Sequence, residues 1–174
     1  MAETVVSGSL GRLYFAHLEP DEDLYEAIAN VAKKYAIESG VILSVTGALS
    51  MTRLSTPTSV SDVRSPPGII EKEGKSEVSG SGYFGMTKES WSSEVSGIDY
   101  RAGEPFIHVH LTASVGGTVY SGHLIEGCTV RSLHPSSHFV VVMAEVHGIS
   151  LTYHAGDVLP GYPNGVPYYR LTSA

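Results

Sequence analysis

The sequence predicts an α+β fold in which a mostly antiparallel sheet is covered by one main helix. Three observations carry this prediction. Short apolar and aromatic runs separated by glycine-rich segments are typical of strands. One segment places its apolar residues at the spacing of an amphipathic helix. The length of 174 residues is that of one ordinary domain, so we expect residues 1–174 to form a single domain.

The main helix is predicted to begin at the acidic segment from Pro20 to Asp23. Proline is favoured where a helix starts, and carboxylates are favourable at its positive N-terminal end. Apolar residues then follow at intervals of four, three and four, which places them on one stripe of the helix. These residues are Leu24, Ile28, Val31 and Tyr35. Gly40 stands where a left-handed C-terminal cap is expected.

Apolar and aromatic runs predict the strands. They are Arg12–Leu18, Val41–Val45, Glu77–Gly85, Phe106–Val115, Thr118–Ile125 and Phe139–Ala144. The last run is almost wholly apolar, which predicts burial on both faces. Residues 52–75 are rich in Ser, Thr, Pro and charge, and they predict a long loop or an irregular hairpin. The C-terminal segment, about 155–174, is rich in Pro, Gly and Tyr and predicts an irregular arm.

The charge and cysteine content argue against several classes of protein. Eleven Lys and Arg stand against eighteen Asp and Glu, and the formal net charge of −7 predicts that nucleic acid is not a partner. No apolar run approaches the roughly 18 residues of a membrane span, and no signal peptide is evident, so we expect no membrane partner and a cytoplasmic location. The lone Cys128 excludes an intrachain disulfide and a cysteine-rich zinc site.

Three of the eight histidines are predicted to lie together. Side chains alternate along a strand, so His108 and His110 point to one face. Gly116-Gly117 between two strand-like runs predicts a two-residue hairpin, in which Val115 pairs with Thr118. The same register places His123 directly opposite His110, on the same face of the sheet. A slip of one residue would move it to the other face.

Two readings of these histidines are open. Alternate histidines on a strand are often ordinary half-exposed polar residues. Three imidazoles so close together repel one another when protonated, and each needs a partner when buried and neutral. A divalent metal bound by their nitrogens removes the repulsion and provides that partner. Zinc is the expected ion, and iron, manganese and nickel also suit three imidazole nitrogens. Three protein ligands leave an open coordination position, which is the pattern of a catalytic metal site.

A metal-dependent reaction needs an acid or base beside the ion. Glu104 and Glu126 lie near the histidine strands and are the candidates, with Tyr100 and Arg101 as candidates for positioning a substrate. The hairpin register pairs Glu126 with Ile107, on the face away from the histidines. That placement counts against Glu126 unless the strand bends or a neighbouring subunit presents it.

An ordered set of short motifs runs from about residue 10 to 155. They include Glu22-Asp23-Leu24, Gly47-Ala48-Leu49-Ser50, Glu77-Val78-Ser79-Gly80, His108-Val109-His110, Gly122-His123-Leu124 and Glu126-Gly127-Cys128-Thr129-Val130. The set resembles the plants-and-prokaryotes conserved domain. That resemblance implies a fold built around an antiparallel sheet and commonly a homotrimer. Stand-alone prokaryotic members often keep a comparable histidine set, whereas plant members lack it and carry AT-hook segments.

The chain departs from the family pattern in a few places. Ser121 stands where a glycine is usual, the preceding turn is Val-Gly-Gly, and the tail after His154 is its own. No Arg-Gly-Arg-Pro AT-hook occurs. In a trimer, the tyrosine-rich tail with Tyr162, Tyr168 and Tyr169 is a candidate cover for a neighbouring subunit's metal.

These observations lead to two functional hypotheses. The first is a metal-dependent enzyme of lyase, decarboxylase or hydrolase type that acts on a small oxygenated, anionic organic substrate. The second is a non-catalytic oligomeric module with a regulatory or scaffolding role, related to the domain of the plant AT-hook proteins. A structural zinc site is normally closed by a fourth protein ligand, and the histidine hairpin offers no obvious one.

Overall fold

The computed structural model describes residues 5–59, 67–92, 99–132, 138–159 and 162–174, without the side chains of residues 155–168. The helix is α1 (Leu24–Lys34). The strands are β1 (Ser9–Leu18), β2 (Gly40–Thr56), β3 (Gly68–Thr87), β4 (Trp91–Ser92), β5 (Asp99–Tyr100), β6 (Pro105–Val115), β7 (Thr118–Leu124), β8 (Thr129–Val130), β9 (Phe139–His147), β10 (Ile149–Leu159) and β11 (Tyr162–Ser173).

Most strands belong to one mixed sheet with the order β1-β9-β2-β7-β6-β3-β10-β11, in which β8 pairs with β2. The pairings are antiparallel except for β10 with β3, which is parallel. β2 also pairs with β3, so β2, β7, β6 and β3 close into a ring. The prediction of a mostly antiparallel sheet with one main helix is confirmed for the described residues.

The helix begins where the acidic segment predicts it. Asp23 is the N-cap, and its Oδ1 accepts a hydrogen bond from the backbone N–H of Glu26 at 3.0 Å. The prediction for the C-terminal end is wrong, because the helix ends at Lys34 and Ala36 takes the left-handed conformation at φ 52°. Gly40 instead opens β2, where a Cβ atom would lie 2.3 Å from the ring of Phe84. The glycine therefore serves close packing and not a helix cap.

The core lies between α1 and the sheet. Leu24 and Ile28 of the helix are fully buried, and Val109 and Leu111 are buried on the facing side of β6. Strand β9 was predicted to be buried on both faces, but only one face is fully covered. Val140 and Val142 remain half-buried on the outer face, while their neighbours along the strand are in the core.

Residues 52–75 are predicted to form a long loop or an irregular hairpin, and their described part forms strands of the β2–β3 hairpin. Residues 52–56 of β2 pair with residues 68–72 of β3, and residues 60–66 lie outside the described residues. Thr52 and Ser76 are buried there, with 2.8 Å between their hydroxyl oxygens. Composition pointed to a long loop or an irregular hairpin because polar residues occupy these strands. Their partners come from across the hairpin, which composition does not show.

The C-terminal segment, expected to be an irregular arm, contains β11, which pairs with β10 from Ser173 to Tyr162. β10 in turn joins the sheet through Thr152 and Tyr153 against the end of β3. The last strand is thereby attached beside β3 and β6. In the described part of the chain, no helix is long and apolar enough to cross a membrane.

Candidate metal centre

The hairpin of β6 and β7 positions the three histidines as predicted. His110 pairs with His123, and Val115 pairs with Thr118. Gly116 and Gly117 form the turn, with φ values of 55° and 84° that suit a type I′ hairpin. The predicted register is therefore confirmed. Alternation along β6 buries Ile107 and Val109 against the helix side and turns the histidines to the opposite face.

The three side chains, called here the histidine cluster (His108, His110 and His123), converge through their Nε2 atoms. The Nε2 of His110 lies 3.3 Å from that of His108 and 2.9 Å from that of His123. One ligand atom from each residue falls within 4.8 Å of the others. Zinc bound at about 2.0–2.1 Å requires nitrogens roughly 2.9–3.3 Å apart for angles from a right angle to a tetrahedral one. Both distances from His110 fall in this range, and the three residues form a group that could hold a metal ion.

The electrostatics of the cluster favour neutral imidazoles. Burial, followed by the charges that His123 and His110 would carry, lowers the pKa of His108 to about 4. Burial, followed by the charge of His110, lowers the pKa of His123 below its usual value. A neutral imidazole has the free lone pair that a metal requires, so near neutral pH both residues are in the ligand form.

Two tyrosines hold the ring of His108. The Tyr83 ring stacks on it with 4.8 Å between centroids and an angle of 4°. The Tyr169 hydroxyl oxygen lies 2.5 Å from its Nδ1. Tyr83 stands opposite His108 in the β3–β6 register, and Tyr169 comes from β11. Sequence reasoning did not find Tyr83, and it expected the tail to cover a neighbouring subunit's site; the structure places Tyr169 beside a histidine of its own chain.

The four proposed catalytic and positioning residues have separate surroundings. Glu104 forms an ion pair with Lys33 of α1. Glu126 is exposed in the turn after β7, where its backbone oxygen accepts from Arg53 Nη1 at 2.9 Å. Arg101 is exposed, and its backbone oxygen accepts from the N–H of Glu104. None of these contacts involves the histidine cluster.

Tyr100 is the candidate with an indirect connection to the cluster. Its ring lies 4.5 Å from the ring of Tyr153, which lies 5.2 Å from that of Tyr169, centroid to centroid. Tyr169 then contacts His108. The aromatic side chains form a continuous wall beside the histidine cluster. Their roles in catalysis stay predictions.

Solved structures share this fold. A metal-containing protein from Archaeoglobus fulgidus is 20% identical, with a TM-score of 0.71 over 97% of this chain and 99% of the other. A plant- and prokaryote-conserved protein from Pyrococcus horikoshii is 22% identical, with a TM-score of 0.67 over 94% and 96%. A protein from Bacteroides thetaiotaomicron, described as "a putative dna binding protein", is 14% identical, with a TM-score of 0.61 over 94% and 96%. No curated protein matches the chain.

The Bacteroides neighbour corrects one prediction. The negative net charge and the absence of an AT-hook predicted that nucleic acid is not a partner. A protein of the same fold carries a DNA-binding description, so that exclusion is contradicted and is withdrawn. Net charge averages over the whole surface, whereas binding depends on the charge of one local face.

The family itself is shown by the sequence. The model of the Plants and Prokaryotes Conserved domain matches residues 5–146. That span includes the helix, the ring of strands and the whole histidine cluster, and it ends before β10 and β11. The chain is therefore a member of the plants and prokaryotes conserved domain family.

Proposed function

We propose that the protein is a metal-dependent enzyme of lyase, decarboxylase or hydrolase type, acting on a small oxygenated, anionic organic molecule. One observation carries the proposal: three imidazole nitrogens converge on one point. Among the described residues, no carboxylate or cysteine joins the cluster as a further ligand. An incomplete protein ligand set is typical of catalytic sites, and closed sets are typical of structural ones. Zinc is the proposed ion, with iron, manganese and nickel as alternatives.

The side chains of such a site have different proposed roles. His108, His110 and His123 hold the ion through Nε2 and face solvent on one side. A divalent ion held there would supply positive charge able to stabilise an enolate or oxyanion. Tyr83 and Tyr169 fix the ring of His108 and wall one flank of the site. Arg101 and Tyr100 are proposed to position the substrate, and Glu126 is the exposed candidate for proton transfer.

Glu104 is the weaker candidate for proton transfer. Its carboxylate is engaged by Lys33, so it would have to leave that ion pair before it could reach a substrate. Both residues are partly exposed, which makes the pair weak enough to exchange. The ion pair also joins α1 to the start of β6, which is a structural role in its own right.

We also propose that the chain assembles as a homotrimer, as the family resemblance implies. The supporting observation is an exposed apolar face on β1, β9 and β2. Tyr14 and Ala16 pack on the core, so Leu13 and Phe15 point outward, and Phe15 is 71% exposed. Val142 lies opposite Phe15, and Leu43 is 48% exposed on the next strand. Contiguous apolar surface at a sheet edge is typical of an interface.

The second candidate function is a non-catalytic oligomeric module with a regulatory or scaffolding role. The same apolar face favours it, because assembly does not require chemistry at the histidines. The description of the Bacteroides neighbour makes nucleic acid a partner to test under this function. A metal in such a module would be structural or incidental.

The deciding experiment is elemental analysis of purified wild type and His123→Ala, with the oligomer mass measured for each. We expect about one metal ion per chain in the wild type, lost in the variant without a change in mass. The matched control is His147→Ala, since His147 is an exposed histidine at the far end of β9. Absence of metal from the wild type would remove the enzyme mechanism and leave the oligomeric module. Metal loss in His123→Ala alone would justify a screen of small oxo- and hydroxy-acids.

A further inference from the structure

The contact between Tyr169 and His108 joins the C-terminal strand to the metal centre. The Tyr169 hydroxyl oxygen lies 2.5 Å from Nδ1, the ring nitrogen that faces away from the cluster. Tyr169 lies on β11, beyond the residues 5–146 that match the family model. The metal centre thus receives a contact from a part of the chain outside the family domain.

A neutral imidazole carries its proton on one nitrogen only, and the partner of each nitrogen decides which one. A tyrosine phenol has an ordinary pKa of about 10, so Tyr169 carries its own proton at neutral pH. A protonated phenol can both donate and accept, and a side-chain hydrogen bond between Tyr169 and Tyr83 gives the Tyr169 proton a partner other than His108. The Tyr169 oxygen is then available to accept a hydrogen bond from Nδ1–H of His108. The contact therefore suits a His108 that is protonated on Nδ1.

The cluster itself is consistent with that arrangement. The Nε2 of His110 lies within hydrogen-bond distance of both other Nε2 atoms, at 3.3 Å and 2.9 Å. One N–H on His110 can be shared between the lone pairs of His108 and His123. In the metal-free protein, a proton on His110 Nε2 provides the donor for both Nε2–Nε2 contacts, and the Nε2 of His108 stays unprotonated.

The position of Tyr169 is set by packing. Tyr169 pairs with Tyr153 across β10 and β11, and Tyr153 is buried beside the end of β3. The Tyr169 ring meets the rings of Tyr83 and Phe106 at centroid distances of 5.7 Å and 5.3 Å. Its hydroxyl is therefore presented from a packed wall, while the side chain stays 42% exposed.

We infer that Tyr169 is a positioning residue for the metal centre, which holds His108 in the tautomer with the proton on Nδ1 and the lone pair on Nε2. The inference rests on the proposed function, since the ligand is a divalent cation of the zinc type. Outer contacts of this kind orient ligand rings, and their loss commonly lowers metal affinity about 10–100-fold. Tyr169 acts through His108 and is not itself a ligand.

The test compares wild type, Tyr169→Phe and the control Tyr35→Phe. Tyr35 is 46% exposed, close to the 42% of Tyr169, and lies at the end of α1. Zinc affinity is measured by chelator competition. The protonation of both ring nitrogens of His108 is read from nitrogen-15 NMR of the metal-free protein, above the ordinary histidine pKa of about 6.5. The backbone amide spectrum shows whether each variant is folded.

We expect wild type and Tyr35→Phe to bind zinc equally and Tyr169→Phe to bind it about 10–100-fold more weakly. We also expect His108 to carry its proton on Nδ1 in the wild type and to lose that preference in Tyr169→Phe. Equal affinity in Tyr169→Phe, or an unchanged tautomer, would overturn the inference.

The two proposals fail in different ways. If the wild type binds no metal ion, the enzyme proposal fails, and the metal-free NMR spectra still decide the role of Tyr169. A loss of the Nδ1–H preference in Tyr169→Phe then supports the positioning role. The same His108 tautomer in wild type and variant would refute it.

Discussion

The buried hydroxyl pair between β2 and β3 allows a quantitative test of this hairpin, for which composition predicted a long loop or an irregular hairpin. Thr52 and Ser76 are fully buried, and their hydroxyl oxygens are 2.8 Å apart. In Thr52→Val the buried Ser76 hydroxyl loses its hydrogen-bond partner. In Ser76→Ala the buried Thr52 hydroxyl loses its partner in the same way. A buried hydroxyl left without its hydrogen bond costs about 1–3 kcal/mol, so each single variant should lose that much stability.

The double variant Thr52→Val/Ser76→Ala removes both polar groups together. Replacing both partners with apolar groups leaves no unpaired hydroxyl, so the double variant should lose only about 1 kcal/mol. The sum of the single losses should therefore exceed the double loss by about 1–5 kcal/mol. Urea unfolding measures the three values at one protein concentration, because the proposed assembly would make apparent stability concentration-dependent.

Additive losses in this cycle would refute the reasoning, because they would mean that the two hydroxyls do not interact in the folded protein. Ser121→Ala serves as the control, because Ser121 is exposed on β7. That control should change stability by less than about 0.5 kcal/mol.

Three further predictions follow from other parts of the fold. Phe15→Lys places a charge on the apolar face of β1 and should lower the oligomer mass measured by light scattering. The control Val119→Lys, at a similarly exposed apolar position on β7, should leave that mass unchanged. Equal masses for the two variants would contradict the proposed interface. Cys128 is buried, and burial raises the pKa of its thiol to about 11, so about one thiol in a thousand is ionised near pH 8. A thiol reagent should therefore modify Cys128 only as fast as the protein unfolds. Rapid labelling of the native protein would contradict this prediction. Tyr14→Phe removes the 2.6 Å hydrogen bond to Glu145 that is the largest cause lowering the pKa of that carboxyl, so its pKa should rise in an NMR titration. Because the folded pKa is lowered, the stabilisation from Glu145 is present above its unfolded pKa and lost as the pH falls through the folded value, and Tyr14→Phe should reduce that acid dependence.

Local sequence patterns were sufficient to predict the helix and the histidine cluster. A stripe of apolar residues and an acidic cap predicted α1, and Asp23 does cap it. Two adjacent glycines predicted the turn of β6 and β7, and the turn determined that His110 faces His123. These contacts lie within about 15 residues along the chain, so strand alternation and turn geometry are enough to derive them.

Contacts between distant segments could not be derived in this way. Nothing in the local pattern pairs β3 with β6, so the stacking of Tyr83 on His108 was missed. For the polar strands beyond Thr52 the sequence predicts only a long loop or an irregular hairpin, because it does not show their cross-strand partners. The exclusion of nucleic acid also came from a property of the whole chain, the net charge, and a neighbour of the same fold contradicts it.

One physical reason separates what the sequence determined from what only the tertiary structure decided. The sequence by itself determined the histidine cluster, because its members belong to one hairpin whose register follows from its turn. Only the tertiary structure decided what surrounds the cluster, because Tyr169 reaches His108 across 61 residues of chain. Such a contact depends on the order of strands in the sheet, and that order is set by the packing of the whole core.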